Sequence, residues 1–194
     1  MDLILASGSP RRSKILSSVG YVFSVLPSEF DESRISLENP RKGVETLAFE
    51  KANQVFQSLP PVTKLGSVVL GADTIVVCDG EVLLKPSSEE EAKKMLMKLS
   101  GKKHQVYTAF SLVSVSDSET FTEKTDVYFY DLTEEKIDEY IATREPMDKA
   151  GAYGIQGAGC LLVKKIDGDY FNVVGLPIAR VSRSLERYGI YPLR

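Results

Sequence analysis

Residues 67–77, with the sequence SVVLGADTIVV, form an almost continuous apolar run in the middle of the chain. Such a run is typical of a strand that is covered on both faces, because a half-exposed strand alternates apolar and polar residues. The run also contains Asp73, a carboxylate that is costly to bury unless a metal, a cation or hydrogen-bond donors face it. Asp73 is therefore a candidate metal ligand or general base; the alternative is a strand-end carboxylate bonded to a loop.

The patterns on either side of this run predict a mixture of βα units and β-hairpins. Further strands are expected near residues 2–7, 21–26, 81–84, 104–115, 120–131, 160–166 and 169–174. Helices are expected near residues 10–19, 41–58, 88–99, 134–143 and 178–188. Asp79-Gly80 and Asp167-Gly168 are typical of tight hairpin turns. We therefore predict an α/β fold with a mixed sheet, rather than a doubly wound parallel sheet, in a single domain spanning residues 1–194.

The composition disfavours several classes of function. The net charge is −3 and the Lys and Arg residues are scattered, so no nucleic-acid partner is expected, because binding to phosphate backbones needs a concentrated basic face. No segment approaches the roughly 20 apolar residues of a membrane span, so no membrane partner is expected either. Cys78 and Cys160 both lie in apolar runs, which predicts two buried thiols in a reducing compartment. The opening apolar run is too short for a signal peptide, so a cytoplasmic location is expected by elimination. The single histidine, His104, is interpreted as a surface or packing residue.

The stretch ASGSPRR, residues 6–12, lies between the first predicted strand and the first predicted helix. Ser9 is placed to cap that helix, and Pro10 to occupy its first position. Arg11 and Arg12 then fall in the first turn, where the helix dipole disfavours cations. This placement predicts an anion such as phosphate at the helix N-terminus, whose unpaired N–H groups can bind one. The alternative is a capped helix with solvated arginines.

Three other features add groups that a phosphate-binding enzyme could use. The loop PSEFDES carries carboxylates that suit Mg²⁺ or Mn²⁺ but are more simply read as solvated: Glu29, Asp31 and Glu32. Lys51 and Lys85 are cations that, taken singly, are more simply surface charges. The loop EPMDKAGAYGIQG, residues 145–157, is either a surface loop or a binding loop in which the Gln156 amide reads a base edge. Together these groups suit metal-assisted hydrolysis of a nucleoside triphosphate.

Four segments together resemble the Maf family of nucleoside triphosphate pyrophosphatases: LILASGSPRRSKIL, GADTIVVCDGEVLLKP, LSGKKHQVYTA and EPMDKAGAYGIQG. The resemblance implies a two-lobed α/β fold of the inosine-triphosphate-pyrophosphatase type, with a long mixed β-sheet and a cleft between the lobes. It implies hydrolysis between the α and β phosphates to a monophosphate and pyrophosphate, with a divalent metal cation (Mg²⁺ or Mn²⁺). The family is further linked to inhibition of septum formation in cell division, and a homodimer is expected from the family alone.

The same resemblance assigns roles to residues by their place in the matching motifs. Asp73 is expected to accept a proton from water and to bind the metal together with Glu32. Glu32 is placed by its position after the second predicted strand, with Glu29 and Asp31 as close competitors. The residues expected to hold the triphosphate are Ser7, Arg11, Arg12, Lys51 and Lys85.

Arg12, Thr74 and Gln156 match the residues that mark the dTTP- and UTP-preferring branch of the family, and Thr74 and Gln156 are expected to bind the substrate. Two alternatives stay open at this point. One is a 7-methyl-GTP pyrophosphatase, and the other is a nucleotide-sensing regulator of septation that binds without hydrolysis.

Overall fold

The computed structural model describes residues 1–193 and confirms an α/β protein with a mixed sheet. Its strands are β1 (Asp2–Leu5), β2 (Ser24–Val25), β3 (Ser67–Cys78), β4 (Glu81–Leu83), β5 (Lys103–Val113), β6 (Ser118–Phe129) and β7 (Val163–Asp167). Its α-helices are α1 (Pro10–Ser18), α2 (Pro40–Ser58), α3 (Pro61–Gly66), α4 (Glu89–Leu99), α5 (Glu134–Ala142), α6 (Tyr170–Val174) and α7 (Ile178–Glu186). None of these helices is long and apolar enough to cross a membrane.

The strand order across the sheet is β2-β1-β3-β5-β6-β7, and β4 pairs with β3. β1 runs parallel to β2 and β3, whereas β4 is antiparallel to β3 and β7 is antiparallel to β6. Asp79 and Gly80, with φ angles of 52° and 81°, form the predicted tight turn between β3 and β4. Every residue of β3 except Thr74 is buried, as expected for a strand that is covered on both faces.

The chain folds into two compact units. The first contains Met1–Asp73, Thr108–Glu123 and the segment that starts at Gly175, and the second contains Thr74–Tyr107 and Lys124–Val174. The strands β3, β5 and β6 therefore each contribute residues to both units. Two units agree with the two lobes that the resemblance implied. The single domain 1–194 stays a prediction, and its last residue lies outside the described ones.

Each unit has an apolar core of its own. In the first unit, α2 packs against β1 and β3 through the buried side chains of Ile4, Ala52, Val55, Phe56 and Val69. In the second unit, α4 and α5 pack with β5 and β6 through Leu96, Leu99, Val106, Val127 and Ile137. Burying a large aliphatic or aromatic side chain contributes roughly 1.5–3 kcal/mol. These layers hold the strand that carries Asp73 and the helix that carries Lys51.

Residues 169–174 were predicted as a strand, and this prediction is wrong because they contain α6. The Asp169 carboxylate accepts a hydrogen bond from the Phe171 N–H at 2.7 Å, which starts a helical turn. The buried Asn172 amide then donates to the Val106 carbonyl at 3.0 Å and to the Thr125 hydroxyl at 2.9 Å. These partners are distant in sequence, so the local apolar pattern could not reveal them.

Two further segments differ from the prediction. The short helix α3 was not predicted, although Pro61 occupies its first position. The strand expected at residues 160–166 begins only at Val163, because Gly157–Leu162 forms a 3₁₀ helix. Cys160 lies in that 3₁₀ helix and is exposed, whereas Cys78 is buried. The expectation of two buried thiols is therefore wrong for Cys160.

Candidate active site

The candidate site in the first unit begins where α2 packs closely against β3. Gly71 of β3 has no side chain, and a Cβ built there would lie 2.6 Å from the Ala52 nitrogen and closer still to the Ala48 carbonyl oxygen. Real Cβ atoms essentially never approach other atoms within 3.0 Å, so only glycine lets the helix backbone come this near. The close approach brings Lys51, which lies between the two alanines, to Asp73.

Lys51 joins two carboxylates that come from different segments. Its ammonium lies 2.5 Å from Oδ1 of Asp73 and 2.7 Å from Oε1 of Glu32. The side chains of Lys51 and Asp73 are each 12% exposed, whereas that of Glu32 is 53% exposed. The buried carboxylate of Asp73 therefore has a cation as its partner. A cation is one of the three kinds of partner, besides a metal and hydrogen-bond donors, that can offset the cost of burying a carboxylate.

The neighbours of Glu32 in the acidic loop make different contacts. Asp31 accepts hydrogen bonds from the N–H of Ser33 at 3.1 Å and from its hydroxyl at 2.6 Å, and so caps the turn Glu32–Arg34. These hydrogen bonds hold the pKa of Asp31 below its ordinary value. Asp31 is thus engaged within its own turn, and the geometry favours Glu32 over Asp31 as the partner of Asp73.

The carboxylates of Glu32 and Asp73 are the donors available to the predicted divalent metal. No cluster of three or more His, Cys, Asp or Glu side chains able to hold a metal occurs within residues 1–193. Mg²⁺, however, commonly uses one or two protein carboxylates and takes its other ligands from water and substrate phosphates. Glu32 and Asp73 supply two carboxylates, and the Lys51 ammonium already lies between them as a cation. The residues present fit a metal that binds together with a triphosphate.

The loop between β1 and α1 is organised by Arg12. Its Nη1 donates to Oγ of Ser7 at 3.0 Å, and its Nε donates to the carbonyl of Gly175 at 2.9 Å. Ser9 occupies the N-cap position as predicted, but its side chain makes no capping hydrogen bond. The Ser13 N–H of the first turn donates instead to the Ser9 backbone carbonyl at 3.3 Å, and the anion expected at this helix N-terminus stays a prediction.

Charges from several segments act on Arg12. Burial lowers the pKa of its guanidinium, and the neighbouring Arg11 lowers it further, while Asp73 and Glu32 raise it. The two arginines and the two carboxylates therefore share one electrostatic environment in the first unit. Arg12 is a cation fixed by two hydrogen bonds in that environment, which is what a phosphate-binding group requires.

The second unit contains the other predicted site residues. Thr74 is its first residue, Lys85 is exposed just after β4, and Gln156 is exposed. The Gln156 side chain does not cap the 3₁₀ helix that follows it. The carbonyl of Leu84 accepts a hydrogen bond from the N–H of Gly151 at 3.1 Å. The segment that carries Lys85 is thereby tied to the loop that carries Gln156.

Comparisons with known proteins agree with these motifs. A sequence model of the Maf family, described as "Maf-like protein", matches residues 2–188. The chain belongs to the Maf family. The match includes every residue that was assigned to the candidate site.

Curated Maf relatives are similar over nearly their whole length. A protein from Geobacillus sp. (strain WCH70), named dTTP/UTP pyrophosphatase, is 50% identical over 97% of this chain and 98% of its own. Another of the same name, from a strain of Bacillus cereus, is 48% identical over 97% of this chain and 96% of its own. A crystal structure of a nucleoside-triphosphatase / dITP/XTP pyrophosphatase from Mycobacterium abscessus shares 15% identity and a TM-score of 0.46, over 97% of this chain and 94% of that one.

His104 of this Maf family member is a packing residue, which is one of the two interpretations given for it. Its Nε2 lies 2.8 Å from the Tyr153 hydroxyl, and its ring packs edge-on against Phe129 and Tyr153. Burial lowers the pKa of His104 to about 4. The ring is therefore neutral near pH 7, and its contacts are those of a core side chain.

Sequence reasoning missed two residues that organise the loop of Gln156. Tyr140 and Glu145 hydrogen-bond to each other and to backbone N–H groups of that loop. The sequence signal was limited to the place of Glu145 in the Maf motif. Its backbone partners lie 13 and 14 residues further along the chain, beyond the reach of a local pattern.

Proposed function

We propose that the chain hydrolyses dTTP and UTP to the monophosphate and pyrophosphate with the help of a divalent metal cation. The observation that carries the proposal is the buried carboxylate of Asp73, held 2.5 Å from the Lys51 ammonium in the electrostatic environment of Arg11 and Arg12. Membership of the Maf family and the names of the curated relatives support a nucleoside triphosphate diphosphatase. The names of those relatives also support the two pyrimidine substrates.

Asp73 is the proton acceptor in the proposed reaction. A water molecule attacks phosphorus and gives one proton to the Asp73 carboxylate. The water oxygen forms the new P–O bond while the bond between the α and β phosphates breaks. The electron pair of the broken bond leaves with pyrophosphate. Lys51 orients Asp73 for this step because its ammonium contacts Oδ1 of the carboxylate.

The cations of the site stabilise the negative charge that develops on pyrophosphate. Arg12 is fixed in advance by its hydrogen bonds to Ser7 and Gly175, so little reorganisation is needed when the substrate binds. Arg11 adds a second guanidinium in the same turn of α1. A guanidinium can form two parallel hydrogen bonds to phosphate oxygens, which an ammonium cannot.

Glu32 and Asp73 are the residues that would hold the divalent cation. When bound, such a cation neutralises phosphate oxygens and lowers the pKa of a bound water. With its other N–H groups Lys51 would also bind the triphosphate, which is the role that the resemblance to the Maf family assigns to it. Lys85 is proposed to bind the triphosphate as well.

Gln156 is proposed to read the pyrimidine. Its amide offers one acceptor and one donor group, which complement the N3–H and O4 of uracil and thymine. Cytosine presents the reverse arrangement, so it is disfavoured when the amide is held in the orientation that suits uracil and thymine. Thr74 and Arg12 are proposed as further determinants of the preference for dTTP and UTP. The link to septum formation stays a prediction.

The test is pyrophosphate release from dTTP, UTP, CTP, dGTP and 7-methyl-GTP, each with and without Mg²⁺ or Mn²⁺. The proposal predicts that dTTP and UTP are hydrolysed fastest and only in the presence of metal. Fastest hydrolysis of 7-methyl-GTP would overturn the substrate assignment. Binding of these nucleotides without any hydrolysis by folded protein would favour the nucleotide-sensing regulator, and hydrolysis without metal would overturn the role of the cation.

A further inference from the structure

The backbone on both sides of Gln156 donates hydrogen bonds to two side chains, those of Tyr140 and Glu145. Before Gln156, the N–H of Gly154 donates to the Tyr140 hydroxyl at 3.1 Å. After Gln156, the N–H groups of Ala158 and Gly159 donate to the Glu145 carboxylate at 3.0 and 3.2 Å. Gln156 itself is exposed and does not cap the following helix.

Tyr140 and Glu145 are also bonded to each other. The Tyr140 hydroxyl donates to Oε1 of Glu145 at 3.0 Å. Burial raises the pKa of Tyr140, so its hydroxyl keeps its proton and remains a donor near neutral pH. The Lys149 ammonium donates to the backbone carbonyl of Glu145 at 2.6 Å, which fixes the chain at the start of the loop.

Two glycines that follow Gln156, Gly157 and Gly159, make these contacts sterically possible. A Cβ at Gly157 would lie 2.6 Å from Oε2 of Glu145, and Gly157 has a φ of +67° that favours glycine. A Cβ at Gly159 would lie 2.6 Å from the Tyr140 hydroxyl. Because neither glycine has a side chain, the loop backbone can approach Tyr140 and Glu145 closely enough to form these hydrogen bonds.

We propose that Tyr140 and Glu145 are positioning residues for substrate specificity, because they fix the backbone on both sides of Gln156 and thereby aim its amide at the base. The inference rests on the proposed function, in which Gln156 reads the pyrimidine edge. Neither side chain takes part in the chemistry, which is assigned to Asp73 of the first unit. Loss of either contact lets the loop move and lowers discrimination between bases more than it lowers turnover.

The test compares kcat/KM for UTP and CTP, because these substrates differ only at the edge that Gln156 is proposed to read. The variants are Gln156→Ala, Glu145→Gln and Tyr140→Phe, with Glu139→Gln as the matched control on the exposed face of α5. Glu145→Gln preserves the size of the side chain but replaces one acceptor oxygen with a donor. Tyr140→Phe preserves the ring and removes only the hydroxyl, so it remains informative if Glu145→Gln folds poorly.

We expect Gln156→Ala to lower the UTP-to-CTP ratio about tenfold or more. Glu145→Gln and Tyr140→Phe should lower the ratio several-fold, with kcat for UTP changing less than KM, and Glu139→Gln should leave both unchanged. The double variant Glu145→Gln/Gln156→Ala should have the same UTP-to-CTP ratio as Gln156→Ala alone. Glu145 is proposed to affect the ratio by positioning Gln156, so it has no further effect once that amide is gone.

The outcomes separate the two proposals. If Gln156→Ala lowers the ratio but Glu145→Gln and Tyr140→Phe leave it unchanged, the positioning role is wrong and the role of Gln156 stands. Full additivity of the losses in the double variant also overturns the positioning role. If Gln156→Ala leaves the ratio unchanged, base reading by Gln156 fails, and the positioning inference fails with it.

Discussion

The ammonium of Lys51 lies 2.5 Å from the carboxylate of Asp73, and both side chains are largely buried. The two residues are 22 positions apart in sequence and belong to α2 and β3. Because the same ammonium also contacts Glu32, one lysine joins two carboxylates in the candidate active site. Removal of Lys51 should therefore affect both carboxylates at once.

Replacing Lys51 by methionine should lower turnover of dTTP on the order of 100-fold, because Asp73 loses the group that orients it. Glu32 and Asp73 would then lose the ammonium that contacts both of them, which should cost about 2–3 kcal/mol of stability after allowance for the exposure of Glu32. Mg²⁺ should therefore raise the melting temperature of Lys51→Met more than that of the wild type. Thermal unfolding with and without Mg²⁺ checks this, with exposed Lys94→Met as the control; equal shifts would argue against metal binding by the two carboxylates.

Replacing Gly71 by alanine should push α2 away from β3. The added Cβ meets backbone atoms of Ala48 and Ala52 rather than a flexible side chain, so we expect a loss of about 1–3 kcal/mol in the free energy of unfolding. Turnover should fall as well, because Lys51 moves with the helix. Gly66→Ala is the matched control, since no atom lies within 4 Å of a Cβ built there. Denaturant unfolding would contradict this account if both variants proved equally stable.

Arg12 and Arg11 should respond differently to replacement by lysine. A lysine at position 12 cannot make both the Ser7 and the Gly175 hydrogen bonds in the same geometry, so Arg12→Lys should lower both stability and kcat/KM. It should also lower the ratio of UTP to 7-methyl-GTP turnover, as its place in the Maf motif predicts. Arg11→Lys should lower kcat/KM for all nucleotides alike. Steady-state kinetics on both variants decides the point, and identical profiles would refute the division of roles.

The stability of the protein should depend on pH through His104. The folded protein holds the pKa of this histidine at about 4, whereas its ordinary value is 6.5. Between these values the unfolded chain binds more protons than the folded one, so the free energy of unfolding falls as pH is lowered from about 6.5 to about 4. The loss from this one group is about 3 kcal/mol.

Denaturant unfolding across that pH range measures this dependence. His104→Gln should be less stable than the wild type at pH 7, because it loses its ring contacts with Phe129 and Tyr153. The free energy of unfolding of His104→Gln should nevertheless change less than that of the wild type between pH 6.5 and pH 4. The slope of this free energy against pH should be smaller by the contribution of about one proton. An unchanged slope in the variant would show that other groups cause the pH dependence.

The sequence predicted the parts of the site that follow from local chemistry. The burial of Asp73 follows from the apolar run around it, and burial of a carboxylate requires a partner. The position of Ser9 at the start of α1 follows from the residues that favour helix starts. The close approach of α2 to Gly71, by contrast, depends on packing between segments, so the Lys51–Asp73 contact could not be predicted from local pattern.

The family resemblance selected site residues where the local sequence pattern could not decide between neighbours. Local pattern could not separate Glu32 from Glu29 and Asp31, and the structure distinguishes Glu32 from Asp31 only through contacts with Lys51 and Ser33. The contacts of Tyr140 and Glu145 were missed for the same reason as α6. In each case a side chain satisfies backbone or side-chain groups far along the chain, and such pairings have no local signature.

The most direct test of the central claim is pyrophosphate release from dTTP by the wild type and by Asp73→Asn, measured in Mg²⁺ alongside nucleotide binding. The amide cannot take up the proton from water, so the account predicts that Asp73→Asn binds dTTP but loses on the order of 100- to 10,000-fold in turnover. Turnover of dTTP by folded Asp73→Asn at the wild-type rate would contradict the account.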